Sequence, residues 1–344
     1  MRAINVIMVG FGYWGPNLAR NIVLNSKFNL LGIVDQDYTR RQAAESLYGV
    51  PTYTSISEIS TDQTIDLAVI CTRPSSHKLL ATNFIKKHIN VLITKPCGIS
   101  SEEAEEIAKL AEEESVKVFC DFTYHYSPQI NFLLSDPAAS SIVKEMQSYT
   151  SYRTSLGIVQ ADVDVLADLA VHDLYILLLL KSKLPISGSC LKTNPEYDSQ
   201  IQAAFITLKW DDGFTAAIHI SWNSPKKVRH ISIVGKNRGI ILEENNRESP
   251  VQLIHFSPNV SNYGVLTAEE KFTRNVSFIM GKLEVPQIGS YEALAKEIED
   301  IAQALMTTEP ISTFPNARSA SQIWKIVEAL RESNRLGGVI QYVK

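Results

Sequence analysis

The sequence predicts an α/β protein in which a doubly wound parallel sheet is followed by an α+β region with an open, mostly antiparallel sheet. In the first ~120 residues, short β-branched runs alternate with amphipathic stretches, which is typical of parallel strands joined by crossover helices. After Asp121 the alternating segments become longer, and Asp211-Asp212-Gly213 indicates a hairpin turn between two of them. A length of 344 residues favours two domains, which we place at 1–121 and 122–344.

The elements of the first region follow from runs of apolar residues and from helical spacing. The helix after the fourth strand has a hydroxyl cap at Ser100 and acidic residues, Glu102 and Glu103, in its first turn. Apolar positions at helical spacing also predict helices around Leu18 and Leu79. The predicted strands are Ile4–Val9, Leu30–Val34, Leu67–Cys71, Val91–Thr94 and Val116–Cys120.

In the second region we predict a sheet with helices over one face. One apolar helix is expected at about Val165–Leu180, and a C-terminal helix at about Arg318–Ser333 that could also pack back on the first domain. The predicted strands include Ala203–Lys209, Thr215–Trp222 and Val228–Val234.

Composition and charge exclude several classes of protein. A formal charge of -4 and a pI near 6.0 give no positive field for nucleic acid. The longest apolar runs are shorter than the roughly 20 residues of a membrane span, and the N-terminus has no signal-peptide pattern, so we expect a cytoplasmic protein. Four widely spaced cysteines are expected to be reduced thiols: Cys71, Cys97, Cys120 and Cys190.

A glycine motif directly after the first strand predicts dinucleotide binding. It reads Gly10-Phe11-Gly12-Tyr13-Trp14-Gly15 and opens a helix near Pro16. The first glycine permits a tight turn, the second lets backbone approach a pyrophosphate, and the third allows close packing of helix on strand. Gly10, Gly12, Tyr13, Trp14 and Gly15 are therefore candidate cofactor residues.

An acid at the end of the second strand favours NAD. Asp35 has the spacing expected for a carboxylate that binds the adenosine ribose hydroxyls, and it would repel a 2′-phosphate. The alternatives are that Asp35 is a turn residue, and that Arg40 and Arg41 hold NADP instead.

Three further residues predict acid–base chemistry. Lys95 follows the fourth strand, at the edge where such a sheet binds its ligand. Asp168 and His172 are four residues apart on an otherwise apolar helix. We assign His172 as the acid/base for a reacting hydroxyl, Lys95 as its partner in positioning and charge stabilisation, and Asp168 as the group that orients substrate or histidine. The roles of Lys95 and His172 are interchangeable, and a solvated lysine and a core histidine are the structural alternatives.

Two smaller predictions complete the site. Tyr126 follows the fifth strand at the crossover into the second domain, where it either touches the substrate or packs between domains. The spacing of His, Cys and carboxylate residues predicts no catalytic metal.

Together these motifs resemble the Gfo/Idh/MocA oxidoreductase family along nearly the whole chain. Ile65 to Pro74, followed by His77, is similar to the family's loop under the nicotinamide, which makes Thr72 and His77 cofactor candidates. Thr94-Lys95-Pro96 is similar to its Glu-Lys-Pro, and Asp168 and His172 to its Asp-x-x-x-His. The resemblance implies a Rossmann domain, catalytic roles for Lys95, Asp168 and His172, and a homodimer or homotetramer formed through the open sheet.

Two departures from the family pattern bear on the site. Thr94 replaces the glutamate and removes a charge beside Lys95, and the glycine after the motif aspartate is absent. The segments Gly12–Asn17 and Asp168–Asp173 resemble members linked to sugar-nucleotide or surface-polysaccharide pathways.

The predicted function is hydride transfer between nicotinamide and a secondary hydroxyl or ketone carbon of a sugar, most consistent with a nucleotide-linked one. One alternative is a dehydrogenase of free polyols or inositol. Another is a catalytically silent dinucleotide-binding sensor, for which Thr94 and the altered loop before His172 would be the reason.

Overall fold

The computed structural model describes residues 2–60, 64–157, 159, 162–193, 200–259, 277–307 and 310–344. Within these ranges the chain forms one sheet of six strands and one of nine. All pairings in the first sheet are parallel, and those in the second are antiparallel except for one. The predicted α/β fold class is confirmed.

The first sheet has the strand order β3-β2-β1-β4-β5-β6. Its centre is almost fully buried because helices cover both faces, which explains the continuous apolar runs. The strands are β1 (Ile4–Val9), β2 (Phe28–Val34), β3 (Thr52–Tyr53), β4 (Leu67–Ile70), β5 (Asn90–Thr94) and β6 (Val118–Asp121).

Capping residues set the ends of the helices that join these strands. The Asp37 side chain accepts from the backbone of Arg40, and Gly49 in a left-handed conformation ends the same helix. Ser100 caps the fourth helix as predicted. The helices are α1 (Gly15–Leu24), α2 (Tyr38–Tyr48), α3 (His77–Ile85) and α4 (Ser101–Glu113).

The second sheet has the order β14-β13-β12-β11-β7-β10-β9-β8-β15. The predicted hairpin turn joins β9 to β10, with Gly213 at a φ of 86°. Two short helices precede this sheet, α5 (Pro128–Ser135) and α6 (Pro137–Lys144). The strands are β7 (Ser148–Leu156), β8 (Ser187–Lys192), β9 (Ala203–Lys209), β10 (Thr215–Ser221), β11 (Asn223–Val234), β12 (Arg238–Glu243), β13 (Val251–Asn259), β14 (Ser277–Glu284) and β15 (Gln341–Tyr342).

The predicted helix at Val165–Leu180 is not uniform. A π-helical turn, Leu166–Ala170, precedes the α-helix α7 (Val171–Lys181). The turn contains Asp168, and π-helical turns often occur at functional sites.

The C-terminal part adds α8 (Ala293–Met306) and α9 (Ala317–Arg335). Helix α9 packs on β8 of the second sheet and on α4 of the first. Trp324 of α9 donates its indole N–H to the carbonyl of Pro96 at 2.9 Å, and Glu328 accepts from Ser101. Helix α9 therefore holds the backbone next to Lys95.

The other face of the second sheet is open. A row of directly paired residues crosses five strands there, and Phe205 and Leu191 in it are each 54% exposed. Burial of this face in a homo-oligomer stays a prediction. Among the described residues, no helix is long and apolar enough to cross a membrane. The row consists of Leu191, Phe205, His219, Tyr152 and His230.

Candidate active site

A cavity of about 1880 Å³ lies where the carboxyl ends of the first sheet's strands face the second sheet. This is the edge at which a doubly wound sheet binds its ligand. Pockets for one small molecule measure about 300–1,000 Å³, so the cavity has room for two ligands.

The glycine motif forms the first wall of this cavity. Gly10 has a φ of 98°, and a Cβ on it would lie 2.4 Å from the carbonyl oxygen of Cys71. Gly12 lines the cavity, and a Cβ there would meet nothing closer than 3.7 Å. A Cβ on Gly15 would lie 3.0 Å from the carbonyl oxygen of Gly10, which explains the close approach of α1 to the loop. The motif therefore keeps the space over Gly12 free, as a cradle for a pyrophosphate requires.

Asp35 lines the cavity beside the glycine loop and is also bound to the backbone. Its carboxylate accepts from Phe11 N at 2.7 Å and from Asp37 N at 2.9 Å. Two carboxylate oxygens have about four acceptor positions, so acceptor positions remain for ribose hydroxyls. Arg40 also lines the cavity, whereas Arg41 donates to the carbonyls of Asp35 and Gln36.

The two aromatic residues of the glycine motif differ in their surroundings. Tyr13 lines the cavity and is 84% exposed. Trp14 also lines it, but its indole N–H donates to the carboxylate of Asp121 at 2.6 Å. Trp14 therefore joins the glycine loop to the end of β6.

Thr72 lines the cavity, whereas the structure places His77 behind the lining. His77 is fully buried and lies outside the lining; its Nδ1 is 3.4 Å from Gly98 N, which donates to it, and its Nε2 contacts the carbonyl of Thr72 at 3.0 Å. Burial lowers its pKa to about 4, so the ring is neutral. His77 joins the loops after β4 and β5, and its contact with the carbonyl of Thr72 connects it to the cavity lining.

Lys95 follows β5 and is held by the π-helical turn. Its Nζ donates to Asp168 Oδ1 at 2.6 Å and to the Asp168 carbonyl at 2.8 Å. The other carboxylate oxygen of Asp168 accepts from Trp222 Nε1 at 2.8 Å. All three residues line the cavity.

These contacts bear on the role predicted for Asp168. Its carboxylate is shared between the ammonium group of Lys95 and the indole N–H of Trp222, and among the described residues it makes no hydrogen bond to His172. A spacing of four residues places side chains on one face in an α-helix, but the π-helical turn has a different rotation per residue.

His172 lines the cavity on the first turn of α7. Its Nδ1 is buried and has no hydrogen-bond partner in the part of the chain that the structure describes. Burial lowers its pKa well below the usual 6.5, and the positive charges of Lys95, Arg153 and Arg229 lower it further. The imidazole is therefore neutral near pH 7.

Tyr126 and its neighbour Tyr124 differ in their exposure to the cavity. Tyr126 is 2% exposed and lies outside the cavity lining, whereas Tyr124 lines it. Both belong to the 3-10 helix Thr123–Tyr126, whose turns point their side chains in different directions. The Tyr124 ring lies 5.2 Å from that of His172, and its hydroxyl contacts Glu244 at 2.8 Å.

A cluster of buried charges behind Tyr124 was not predicted. Arg153 is 3% exposed and donates to Asp173 Oδ2 at 2.6 Å, and Glu244 lies 3.8 Å from the same guanidinium. Arg229 lies next to it. These residues come from β7, β11, α7 and the turn after β12, so no local pattern in the sequence predicts the cluster.

The parallel sheet, the glycine loop and the acid after β2 define an NAD-binding Rossmann protein. Residues 4–122 match the family model described as an oxidoreductase family with an NAD-binding Rossmann fold (GFO_IDH_MocA). The first 122 residues are therefore similar to the NAD-binding Rossmann domain of the Gfo/Idh/MocA oxidoreductases.

Similar proteins include dehydrogenases of sugar derivatives. UDP-N-acetylglucosamine 3-dehydrogenase of Acidithiobacillus ferrooxidans is 22% identical over 88% of this chain and 89% of its own length. Glucose-6-phosphate 3-dehydrogenase of Bacillus subtilis is 31% identical, over 39% of this chain and 37% of its own length.

A solved structure agrees with the whole fold. GenD2 from gentamicin A biosynthesis, in complex with NAD, superimposes with a TM-score of 0.78 at 17% identity, covering 100% of this chain and 97% of its own. At that identity the likeness shows the fold alone.

Proposed function

We propose that this protein is an NAD-dependent oxidoreductase that transfers a hydride between nicotinamide and a secondary hydroxyl or ketone carbon of a sugar, most consistent with a nucleotide-linked sugar. The observation that carries the proposal is the fixed lysine of the cavity. Lys95 is held by Asp168 beside a neutral His172, and the glycine loop shares the same cavity. The sugar-acting relatives support the choice of substrate class.

The residues suit proton transfer at a hydroxyl oxygen. A neutral imidazole accepts a proton, and the lowered pKa of His172 keeps its ring neutral near pH 7. The ammonium of Lys95 would stabilise negative charge that develops on the oxygen. Bound nicotinamide would supply the hydride chemistry. Asp168 holds the lysine in place and does not itself exchange a proton.

The cradle over Gly12 fits a dinucleotide, and Asp35 favours NAD over NADP. The Asp35 carboxylate lines the cavity at the position predicted for the ribose. We also propose that residues 1–121 form the cofactor domain and residues 122–344 the substrate domain.

The test follows the absorbance of reduced nicotinamide with NAD or NADP and a panel of nucleotide sugars, free sugars and polyols. Lys95→Ala and His172→Ala are expected to lower kcat/KM by about 10²–10⁴-fold. Lys87→Ala and His88→Ala are matched controls, because they remove a lysine and a histidine side chain at exposed positions before β5. Both variants should leave kcat/KM unchanged.

The panel also separates the alternatives. Turnover of free polyols without any nucleotide sugar would favour a polyol or inositol dehydrogenase. NADH binding without turnover of any sugar or keto-sugar would overturn the enzyme and favour a dinucleotide sensor.

The pH profile assigns the proton carrier. If neutral His172 accepts the proton, kcat/KM for oxidation is flat above about pH 6.5, because the lowered pKa leaves the ring neutral there. A rate that instead climbs towards the pKa of an amine would assign the proton to Lys95.

A further inference from the structure

Two arginines lie directly opposite each other in the second sheet. Arg229 of β11 is paired with Arg153 of β7, and both side chains line the cavity. Like charges in directly opposite positions destabilise a sheet. Such a pair therefore needs compensation, either from the protein or from a ligand.

Arg153 is compensated by the protein. Its guanidinium donates to Asp173 at 2.6 Å, lies 3.8 Å from Glu244, and sits over the Tyr124 ring at 4.6 Å from its centroid. Arg153 is 3% exposed and has two carboxylates close to it. Its charge is therefore already balanced by the protein, and little of its guanidinium remains accessible to a ligand.

Arg229 is not compensated in the same way. Its Nη1 donates to the carbonyls of Thr154 and Val228, each at 2.9 Å. No described carboxylate forms an ion pair with it, since Asp173 and Glu244 are bound to Arg153 and Tyr124. Burial and the charge of Arg153 lower its pKa. A half-buried cation in a cavity wall costs desolvation that a bound anion would offset.

Lys227 adds a second positive charge to the same wall. The register of β11 with β7 shifts between Asn223 and Val228, so we assign Lys227 to this wall because it lines the same cavity as Arg229. Lys226 is exposed and lies outside the lining, which makes it a matched control.

We infer that Arg229 and Lys227 form a binding site for an anionic group of the substrate, either phosphate or carboxylate oxygens attached to the sugar. Arg229 keeps N–H groups outside its two carbonyl bonds, and a guanidinium binds such oxygens in a bidentate manner. Arg229, Lys227 and His172 line the same cavity, so an anion bound there would belong to the molecule whose hydroxyl faces His172. This inference rests on the proposed sugar oxidoreductase function.

The experiment measures binding without turnover. Calorimetry gives the Kd of glucose, glucose 6-phosphate, glucuronate and uridine diphosphate on the NADH-loaded protein. The anionic probes should bind more tightly than glucose, and the tightest of them names the source of the anion. Arg229→Gln should weaken that probe by about 10–100-fold, as expected for loss of a charge-assisted hydrogen bond. Lys227→Gln should weaken it several-fold, and Lys226→Gln should not change it.

Four results would overturn the inference. Anionic probes that bind no better than glucose would remove the site. An equal loss for glucose in Arg229→Gln would indicate damage to the fold, and an equal loss in Lys226→Gln would indicate a general surface charge effect. A lowered affinity for NADH in Arg229→Gln would assign the anion to the cofactor.

Arg229→Lys keeps the charge and should retain part of the affinity.

The outcome is separable from that of the proposed function. Tight binding of an anionic probe by a protein without turnover would support the anion site and contradict the enzyme. Turnover of a neutral sugar that Arg229→Gln leaves unchanged would support the enzyme and contradict the anion site.

Discussion

The two walls of the cavity are built in different ways. The cofactor wall comes from the first sheet, and its shape depends on backbone atoms that lie close together, as at Gly10 and Gly12. The substrate wall comes from the second sheet and α7, and it consists of charged side chains such as Asp168 and Arg229. A bound dinucleotide needs a close backbone approach, whereas a specific substrate needs placed charges.

Both walls nevertheless use the same hydrogen bond. On the cofactor side Trp14 donates its indole N–H to Asp121, and on the substrate side Trp222 donates to Asp168. An indole is a large, rigid group with one donor, so it fixes a carboxylate while excluding water. The two walls therefore differ in the group that the carboxylate binds besides the indole. Asp121 fixes the glycine loop through Trp14, whereas Asp168 binds Lys95 as well as Trp222.

The largest expected effect comes from the charges of the substrate wall. Asp173→Ala leaves the buried Arg153 without its nearest carboxylate and should lower the free energy of unfolding by about 3–5 kcal/mol. Denaturant unfolding measures this. Asp212→Ala breaks an ion pair whose aspartate is 53% exposed and should cost less than about 1 kcal/mol. Equal costs for the two variants would contradict a buried, charge-built wall.

The next effect tests the backbone of the cofactor wall. Gly10→Ala combines a φ of 98° with a Cβ 2.4 Å from Cys71 O and should lower the free energy of unfolding by about 2–4 kcal/mol. Gly12→Ala meets no atom closer than 3.7 Å, so stability should change by less than about 0.5 kcal/mol.

The two glycine variants differ again in cofactor binding. Gly12→Ala should weaken NADH binding about tenfold, or about 1.4 kcal/mol, because its Cβ would occupy the space over the loop. Titration of NADH fluorescence measures this affinity. Unchanged NADH affinity in Gly12→Ala would place the pyrophosphate elsewhere.

The difference between the two walls also explains which parts of the site the sequence could predict. The glycine loop and Asp35 lie within 26 residues, so their spacing in sequence determines their spacing in space. Arg153, Asp173 and Glu244 meet only through strand register and helix packing, which no local pattern reports. The sequence shows Arg229 and Arg153 as two separate arginines, but it does not show that they lie directly opposite each other in paired strands.

Two predicted site residues lie outside the cavity lining for a shared reason. His77 and Tyr126 lie close in sequence to residues that line the cavity, and both point into the core. Sequence position placed their backbones correctly but not the direction of their side chains, because one turn of a short helix separates the two environments.

The next testable prediction concerns a buried acid near the cofactor wall. Glu297 of α8 is fully buried near Asp121, and burial and that neighbouring charge raise its pKa well above 4.5. The unfolded chain releases this proton near pH 4.5, while the folded state retains it. The free energy of unfolding must therefore fall as pH rises above about 4.5, at up to about 1.4 kcal/mol per pH unit.

Glu297→Gln keeps the shape and removes the titrating group. Denaturant unfolding at pH 5 and pH 8 should show the variant gaining stability relative to the wild type at the higher pH. Glu299→Gln, on the same helix but partnered by Lys27 and Asn25, should show no such gain. A pH-independent difference between wild type and Glu297→Gln would mean that Glu297 is ionised in the fold.

The smallest effect tests the indole contact of the substrate wall. Trp222→Phe removes the donor to Asp168 but keeps most of the ring, so Lys95 loses only part of its positioning. We expect kcat/KM to fall about tenfold, since a hydrogen bond to a charged group contributes about 1.5–3 kcal/mol and the Lys95–Asp168 pair remains. Trp210→Phe makes the same change away from the cavity, at a donor to the carbonyl of Lys183, and should lower stability without changing kcat/KM. A kcat/KM in Trp222→Phe equal to that of the wild type would show that the Lys95 ion pair alone fixes Asp168, and the substrate wall would then depend on charge without the support of the indole.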